Sequence, residues 1–453
     1  MADATGEGRV DDEGTSALGT LRAFFALERD VLVLSVAMFA FSLGFQMTGR
    51  YVPRYMSLLG AGGLAIGLYG TVGNLISAVY PYPGGALSDR IGSRVALTAF
   101  GLASTVGFLV WLAAPLFGTV TVDLTALPLV DVEGVVLPVG IFLGLFLAQA
   151  WKSFGLGATF AVVKQAVPPE RLATGFASTE TVRRLAFLLG PLLAATLIAV
   201  FGFDLGFRAV LLVAAAFGLL ATLAQHVLYD ASEDTVGKSF EGISAVAEDL
   251  RSMPPALPPL LAGDTLVRFA NGMVYVFFVI VVTEFRAVDV TLPVVGYLSP
   301  DALFGVLLAV EMVVALLSMV PMSRLADRVG LKPVVALGFS VYAIFPVLLI
   351  NAPADPLVFG LLFAFSGLRF AGLPAHKALI VGPAEQDAGG RVTGAYYLLR
   401  NTLVIPSALV GGYLYDAVSP ELAFGVATAI GLVGTGVFLV FGKEFDPNGT
   451  RPE

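Results

Sequence analysis

Apolar residues run through this chain in long blocks, and polar residues are confined to short breaks between them. A hydrocarbon core about 30 Å thick needs roughly 20 apolar residues per helical crossing. Blocks of that length predict helices over 31–53, 64–87, 95–115, 136–165, 173–201 and 207–229. Six more follow over 260–283, 302–324, 333–351, 356–381, 391–415 and 421–442. None of the blocks alternates apolar and polar residues as the strands of a membrane barrel do. The longest polar break divides the twelve predicted helices, numbered here 1 to 12, into two sets of six. The expected organisation is therefore a tail over 1–30, a six-helix half over 31–229, a central loop over 230–259, a second half over 260–442 and a tail over 443–453. The expected class is an all-α membrane protein of two pseudo-symmetric six-helix halves.

Charge in the breaks alternates along the chain. Basic residues gather in every second one: Arg90 and Arg94, Lys164 and Arg171, Lys238 and Arg251, then Arg324, Arg328 and Lys332, and finally Lys377 and Arg391. The other breaks carry mostly acids, among them Asp123, Asp131, Glu133, Asp204, Asp289, Asp301, Asp355, Asp416 and Glu421. The positive-inside rule places the basic breaks and both termini in the cytoplasm of a multi-pass cell-membrane protein. Arg54, Arg208 and Arg286 run against the pattern. The acidic start, Asp3 to Glu13, lacks the basic opening of a signal peptide. In the central loop, Phe240, Ile243, Val246, Ala247 and Leu250 fall near helical spacing among charged residues. That pattern predicts a short amphipathic helix on the inner membrane surface, ended by Pro254 and Pro255.

Composition narrows the chemistry. The chain is 57% hydrophobic and 13% charged, about half the charged share of a soluble domain. It has no cysteine, which excludes disulfides and thiolate metal sites. Its two histidines, His226 and His376, lie in different halves and predict no metal cluster. Gly237-Lys238-Ser239 is similar to the end of a phosphate-binding loop, but Ser232 replaces its first glycine and no strand precedes it. ATP-driven pumping, an enzyme activity, a cofactor and a nucleic-acid partner are therefore not expected. The net charge of −8, with acidic breaks and little lysine, suits a high-salt cytoplasm. The sequon Asn448-Gly449-Thr450 is expected to be cytoplasmic and inert.

The halves repeat one another. Gly85-Ala86-Leu87-Ser88-Asp89-Arg90-Ile91-Gly92-Ser93-Arg94 follows helix 2, and Ser323-Arg324-Leu325-Ala326-Asp327-Arg328-Val329-Gly330-Leu331-Lys332 follows helix 8. Lys152-Ser153-Phe154-Gly155 in helix 4 likewise parallels Arg369-Phe370-Ala371-Gly372 in helix 10. The first pair resembles motif A of the major facilitator superfamily, with Ser93, Leu331 and Ser323 as departures. Helix 5 carries Ala186, Gly190, Pro191, Ala194 and Ala195, similar to the glycine-proline motif of proton-linked drug antiporters in that superfamily. In helix 4, Trp151 stands where their motif B has arginine, and Lys152 is one residue further on.

Charges within the predicted helices are the candidate chemistry. A mid-membrane base costs at least ~2.5 kcal/mol on insertion scales, so it faces the bundle interior or a water cavity. Lys152, Arg183, Arg184, Arg268, Arg369 and Arg400 are of this kind, with Glu311 as the expected central acid and Arg50 toward the outer end of helix 1. Lys152, Arg369, Trp151, Gln46 and Asn271 are the candidate substrate-binding residues, with ion pairing, packing or interhelical hydrogen bonding as the plainer alternatives. Asp89, Arg90, Asp327 and Arg328 in the motif copies are candidate gating residues. Arg183 or Arg184 is expected to meet Glu311 across the halves, with Arg400 nearby. Asp264 and Arg268, four apart on helix 7, are expected to pair locally. Gly63, Gly67, Gly70 and Gly73 form a smooth stripe on helix 2, suited to close packing within one half or to sliding against Gly411 and Gly412 of helix 11.

The resemblance implies a monomeric secondary active transporter in the lipid bilayer. It would move a small solute by alternating access, with protons as the expected coupling ion. The helix 5 motif favours drug-type efflux by antiport. The excess of central bases favours an organic-anion importer or exchanger instead. A non-transporting receptor or sensor on the same fold is the alternative of another class.

Overall fold

The computed structural model describes residues 29–80, 87–88, 90–123, 134–155, 172–229, 253–293, 296–383 and 389–444. Asp89, the predicted amphipathic helix, the phosphate-loop look-alike, the sequon and most of both tails lie outside the described residues.

Eight helical stretches of 20 to 46 residues are long and apolar enough to cross a membrane. The longest, Arg183–Leu228, holds helices 5 and 6, which meet at Gly202 (φ 74°). Gly63–Val79 and Val139–Ser153 are shorter apolar helices and form helices 2 and 4. Helix 11 is Gly389–Val404 followed by Ser407–Ala417. The described residues thus contain helical segments at all twelve predicted positions and in the predicted order. Helix 1 is Arg29–Thr48 extended by Val52–Leu58, and helix 3 is Ser93–Leu112. Helix 7 runs from Leu257 to Phe285. Helices 8, 9 and 12 are Pro300–Val329, Leu331–Asn351 and Pro420–Phe441. Helix 10 spans Pro356–Val381.

Local chemistry sets the helix ends. Ser299, Asp355 and Ser419 cap helices 8, 10 and 12 through their side-chain oxygens, each followed by proline. Such caps satisfy backbone N–H groups that the first turn leaves bare, and proline there forfeits nothing. The two motif copies share a backbone device. Gly92 (φ 83°) precedes helix 3, and Gly330 (φ 103°) precedes helix 9. A Cβ is disfavoured at those angles, which accounts for the glycine in both copies.

Two short antiparallel hairpins were not anticipated from the sequence. Thr119–Val122 (β1) pairs with Val135–Pro138 (β2), and Val290–Leu292 (β3) with Gly296–Leu298 (β4). Helix 4 therefore starts at Val139, three residues later than predicted. β-Branched Val120, Val122, Val135 and Val136 suit the pleat while remaining apolar enough to read as membrane sequence. Both hairpins lie at one end of the bundle, the hairpin end, opposite the motif end that carries Arg90 and Arg328.

The halves are joined at the hairpin end. One continuous core there draws Tyr51, Tyr55 and Phe207 from the first half and Phe277, Phe278 and Phe304 from the second. Toward the motif end the cores separate. Ala37, Phe41, Phe100 and Trp151 cluster in the first half, and Leu257, Phe339, Tyr396 and Phe438 in the second. Helices 2 and 11 touch through glycine: a Cβ on Gly67 would lie 2.3 Å from the Ala408 carbonyl oxygen, and one on Gly412 would lie 2.4 Å from that of Gly63. Asp416 completes this seam by accepting from the N–H groups of Gly63 and Leu64, at 2.7 Å each.

Candidate functional site

A cavity of about 290 Å³ lies between the halves. Gln46 and Arg50 of helix 1, Arg183, Arg184 and Phe187 of helix 5, and Tyr275 of helix 7 form one side. Glu311, Met312 and Met319 of helix 8, with Phe370, Leu373 and Lys377 of helix 10, form the other. Arg50 lies over the Tyr275 ring at 3.9 Å, and Arg184 Nη1 is 3.0 Å from Met319 Sδ. Among the described residues, four bases and one acid thus border an otherwise largely apolar space. Helices 7 and 10 depart from α geometry here, with 3₁₀ turns at Tyr275–Phe277 and Leu368–Phe370. Such turns re-aim side chains that a continuous α-helix would direct elsewhere.

Glu311 is already engaged inside its own half. It pairs with Arg369 of helix 10, and Ser366 Oγ donates to Glu311 Oε1 at 3.2 Å. Arg369 is 2% exposed, and Phe370 and Tyr342 flank its guanidinium at 4.7 and 5.3 Å. Both side chains are buried, and the pair satisfies one buried charge with another.

A second ion cluster centres on Asp264, which is fully buried. Its Oδ1 accepts from Arg268 Nε at 3.2 Å. Its Oδ2 accepts from Arg400 Nη1 at 3.0 Å and from the Tyr396 hydroxyl at 3.1 Å. His376 Nε2 lies 3.2 Å from the same oxygen. Arg268 and Arg400, with Asn74, Asn271 and Asn401, line a second cavity of about 260 Å³ between helices 2, 7 and 11, and Tyr275 borders both cavities.

At the hairpin end the halves are latched by polar groups. Arg54 pairs with Glu284 and, through Nε, with Asp301 Oδ1 at 2.9 Å. Ser57 Oγ donates to Glu284 at 2.5 Å, and the Tyr51 hydroxyl donates to the Asp301 carbonyl at 3.0 Å.

Two comparisons bear on this architecture. Residues 265–453 match the sequence pattern of the Major Facilitator Superfamily. An uncharacterized MFS-type transporter of Methanocaldococcus jannaschii is 21% identical over 424 residues, covering 92% of this chain and 95% of that protein. The second half of the chain matches the major facilitator pattern, and the chain as a whole is similar to a membrane transporter of that type. Transporters of that type are carriers, not enzymes. Solved structures agree in fold. A POT family transporter in complex with 5-aminolevulinic acid superposes with a TM-score of 0.69 at 15% identity, covering 93% of this chain and 99% of that one. The nucleoside transporter NupG gives 0.67 at 13% identity, covering 92% and 100%.

The predicted site residues disperse. Gln46 and both helix 5 arginines border the central cavity, and Asn271 the second one. Arg369 is withdrawn behind Glu311. Trp151 is a core residue, 2% exposed and stacked on Phe41 with ring centroids 4.3 Å apart. Its indole is too large and apolar to leave the packed first half. Lys152, at the end of helix 4, is accessible at its surface and is not among the residues lining either cavity, but it lies deep enough in the bundle for its charge to interact with that of Arg183. The expected contact from Arg183 or Arg184 to Glu311 gives way to Arg369, which shares Glu311's half and reaches it without crossing the cavity. Arg400 serves Asp264. Arg90, Asp327 and Arg328 are exposed at the motif end.

Three features were undervalued in the sequence. Asp264 is a second buried acid, so Glu311 is not the lone one. Lys377, counted above as a loop base, lies on helix 10 and borders the cavity. Tyr275 carried no signal beyond being aromatic in an apolar run. For Asp264 the signal was an acid inside an apolar block with a base four residues on.

Proposed function

We propose that this chain is a secondary active transporter of small amphipathic organic anions, working by alternating access around the cavity between its halves. One observation carries the reading: Arg50 and Lys377 border that cavity from opposite halves, and the one acid among its described lining residues, Glu311, is bonded to Arg369. Bases facing a low-dielectric space favour a negative occupant. Phe187, Met312, Met319 and Phe370 offer an apolar wall to the rest of the solute. The same charge balance opposes lipophilic cations and so weighs against drug-type efflux. Gly190 and Pro191, which suggested antiport, have a packing role that needs no coupling. A Cβ on Gly190 would lie 2.7 Å from Gln46 Cβ, and the Pro191 carbonyl oxygen is 2.5 Å from the Cβ position of Gly305.

The basic breaks orient the motif end toward the cytoplasm of the cell membrane. The joined hairpin end is then external, and the described state faces inward. Arg54 would leave Glu284 and Asp301 when the outer side opens, and the motif loops, with Asp89 and Asp327, would close the inner side. Protons are the proposed coupling ion and a monomer the proposed unit.

Thermal stabilisation of the purified protein by a panel of organic anions and lipophilic cations tests the solute class. Anions should stabilise the parent, and Arg50→Gln and Lys377→Gln should each weaken that effect. Stabilisation by a lipophilic cation that strengthens in Lys377→Gln would reverse the reading in favour of drug efflux. Uptake into proteoliposomes under an imposed pH gradient tests the coupling.

A further inference from the structure

The Asp264 cluster lies away from the central cavity and is not needed to explain it. Asp264 stands seven residues into helix 7, about 10 Å from its motif-end start at 1.5 Å per residue. Each packed helix contributes a defined group. Helix 7 brings Arg268, helix 11 brings Tyr396, Arg400 and Tyr397, whose ring lies 4.7 Å from the Arg400 guanidinium, and helix 10 brings His376. Helix 9 brings Tyr342, whose hydroxyl accepts from Arg268 Nη1 at 2.9 Å. Helix 12 presents only backbone and Phe438 to the neighbouring Gly263. Helix 8 contributes Glu311, which Arg369 already holds. His376 is 4% exposed, and with Arg268 and Arg369 it borders a small void of about 10 Å³.

We infer that His376 and Asp264 form a proton-binding pair whose occupancy is linked, through Arg268 and Arg400, to an anion in the cavity between helices 2, 7 and 11. The inference rests on the transporter reading and names its coupling site. The charge count gives the linkage. Asp264 and its two arginines carry one net positive charge when the imidazole is neutral and two when it is protonated. A second uncompensated charge in a buried setting is unfavourable. An anion between Arg268 and Arg400 removes that excess. It also competes with Asp264 for both guanidinium groups and frees Asp264 Oδ2 for the proton on His376 Nε2. Both effects act in one direction, so anion binding favours protonation and protonation favours anion binding, as reciprocity requires. Asn74, Asn271 and Asn401 border the same cavity and supply amide donors to an anion held there.

The chain contains only two histidines, which makes the test direct. His226 lies on helix 6, where its ring contacts Thr98, outside the cluster. In the full-length His226→Gln protein with ¹⁵N-labelled histidine, the remaining signal reports His376 alone. Its titration is followed by NMR with and without sodium sulfate at matched ionic strength. Saturating sulfate should raise the titration midpoint by about one pH unit, the shift of a tenfold linkage. Arg400→Gln should abolish the rise while leaving the ring titratable. A midpoint indifferent to sulfate, a ring that never titrates, or an equal rise in Arg400→Gln would each overturn the inference. The His226→Gln titration decides even if Arg400→Gln does not fold. Stabilisation of the parent by sulfate through Arg50 and Lys377, beside an unmoved His376 midpoint, would sink this proposal and leave the transporter reading standing.

Discussion

The two halves share a fold and a sequence repeat but handle charge differently. The second half holds every buried carboxylate among the described residues: Asp264, Asp301 and Glu311. Each is met by arginine, and for Asp301 that arginine is Arg54 of the first half. The first half buries Ser35, Thr48, Ser104, Thr222 and Gln225, but no described acid. It turns Arg50, Arg183 and Arg184 toward the shared cavity instead. The repeat-related bases show the split: Arg369 is buried against the acid Glu311, whereas the charge of Lys152 lies near that of another base, Arg183. The second half thus behaves as an ion-clasped frame, and the first half as the side that brings Arg50 over the Tyr275 ring at the cavity wall.

The largest test of that contrast is Asp264→Ala. It leaves Arg268 and Arg400 without their shared acceptor and should cost about 3–5 kcal/mol, as removal of one partner from a buried ion pair does. Arg50→Gln in the first half should cost less than about 1 kcal/mol. Thermal unfolding of both variants checks this, and equal losses would erase the distinction between the halves.

Glu311→Gln should be nearly as damaging as Asp264→Ala, at about 3 kcal/mol, because it strands a buried guanidinium. Replacing Glu311 and Arg369 together with methionine should recover most of the loss. A double variant no more stable than Glu311→Gln would mean that the pair does more than neutralise itself.

A smaller effect separates the two ends of one helix. Gly67→Val wedges the helix 2 and helix 11 seam and should disfavour the closed hairpin end by about 1–3 kcal/mol, the usual cost of overpacking. Gly73→Val, whose Cβ would meet only Gln149 Nε2 at 4.0 Å, should leave the balance nearly unchanged. Spin-label distances across the hairpin end would report both.

The smallest expected effects concern exposed and half-exposed pairs. Arg54→Gln loosens the latch to Glu284 and Asp301 and should move the open-to-closed ratio by roughly five- to thirtyfold, or about 1–2 kcal/mol. Arg208→Gln breaks an exposed pair with Asp204 at 3.3 Å and should change stability by less than about 0.5 kcal/mol. Equal shifts in the distance distribution for the two variants would show that Arg54 is no latch.

These arginines also explain the exceptions to the loop-charge pattern. Arg54 is held by two acids, Arg208 by Asp204, and Arg286 donates to the carbonyl of Ile350. The orientation rule reads residues one at a time, whereas local pairing removes the charge that the rule counts.

The sequence by itself determined the features that depend on neighbours along the chain. The all-helical membrane architecture and the order of its helices follow from the length of the apolar blocks. The twofold repeat follows from the motif copies, and their glycines from positive φ angles at Gly92 and Gly330. The Asp264 and Arg268 pair was legible because residues four apart share a helix face. Only the tertiary structure decided which side chains meet across helices. Arg400, Tyr396 and His376 reach Asp264 from more than a hundred residues away, and no periodicity encodes that convergence. Glu311 could be placed near mid-depth from its position along helix 8. Whether it turned to helix 5 or to helix 10 depended on helix rotation and on the 3₁₀ turn that aims Arg369. Trp151 and Lys152 are adjacent in sequence, yet one is packed on Phe41 and the other accessible at its surface. Adjacent residues on a helix point about 100° apart, and packing alone selects which of them faces the core.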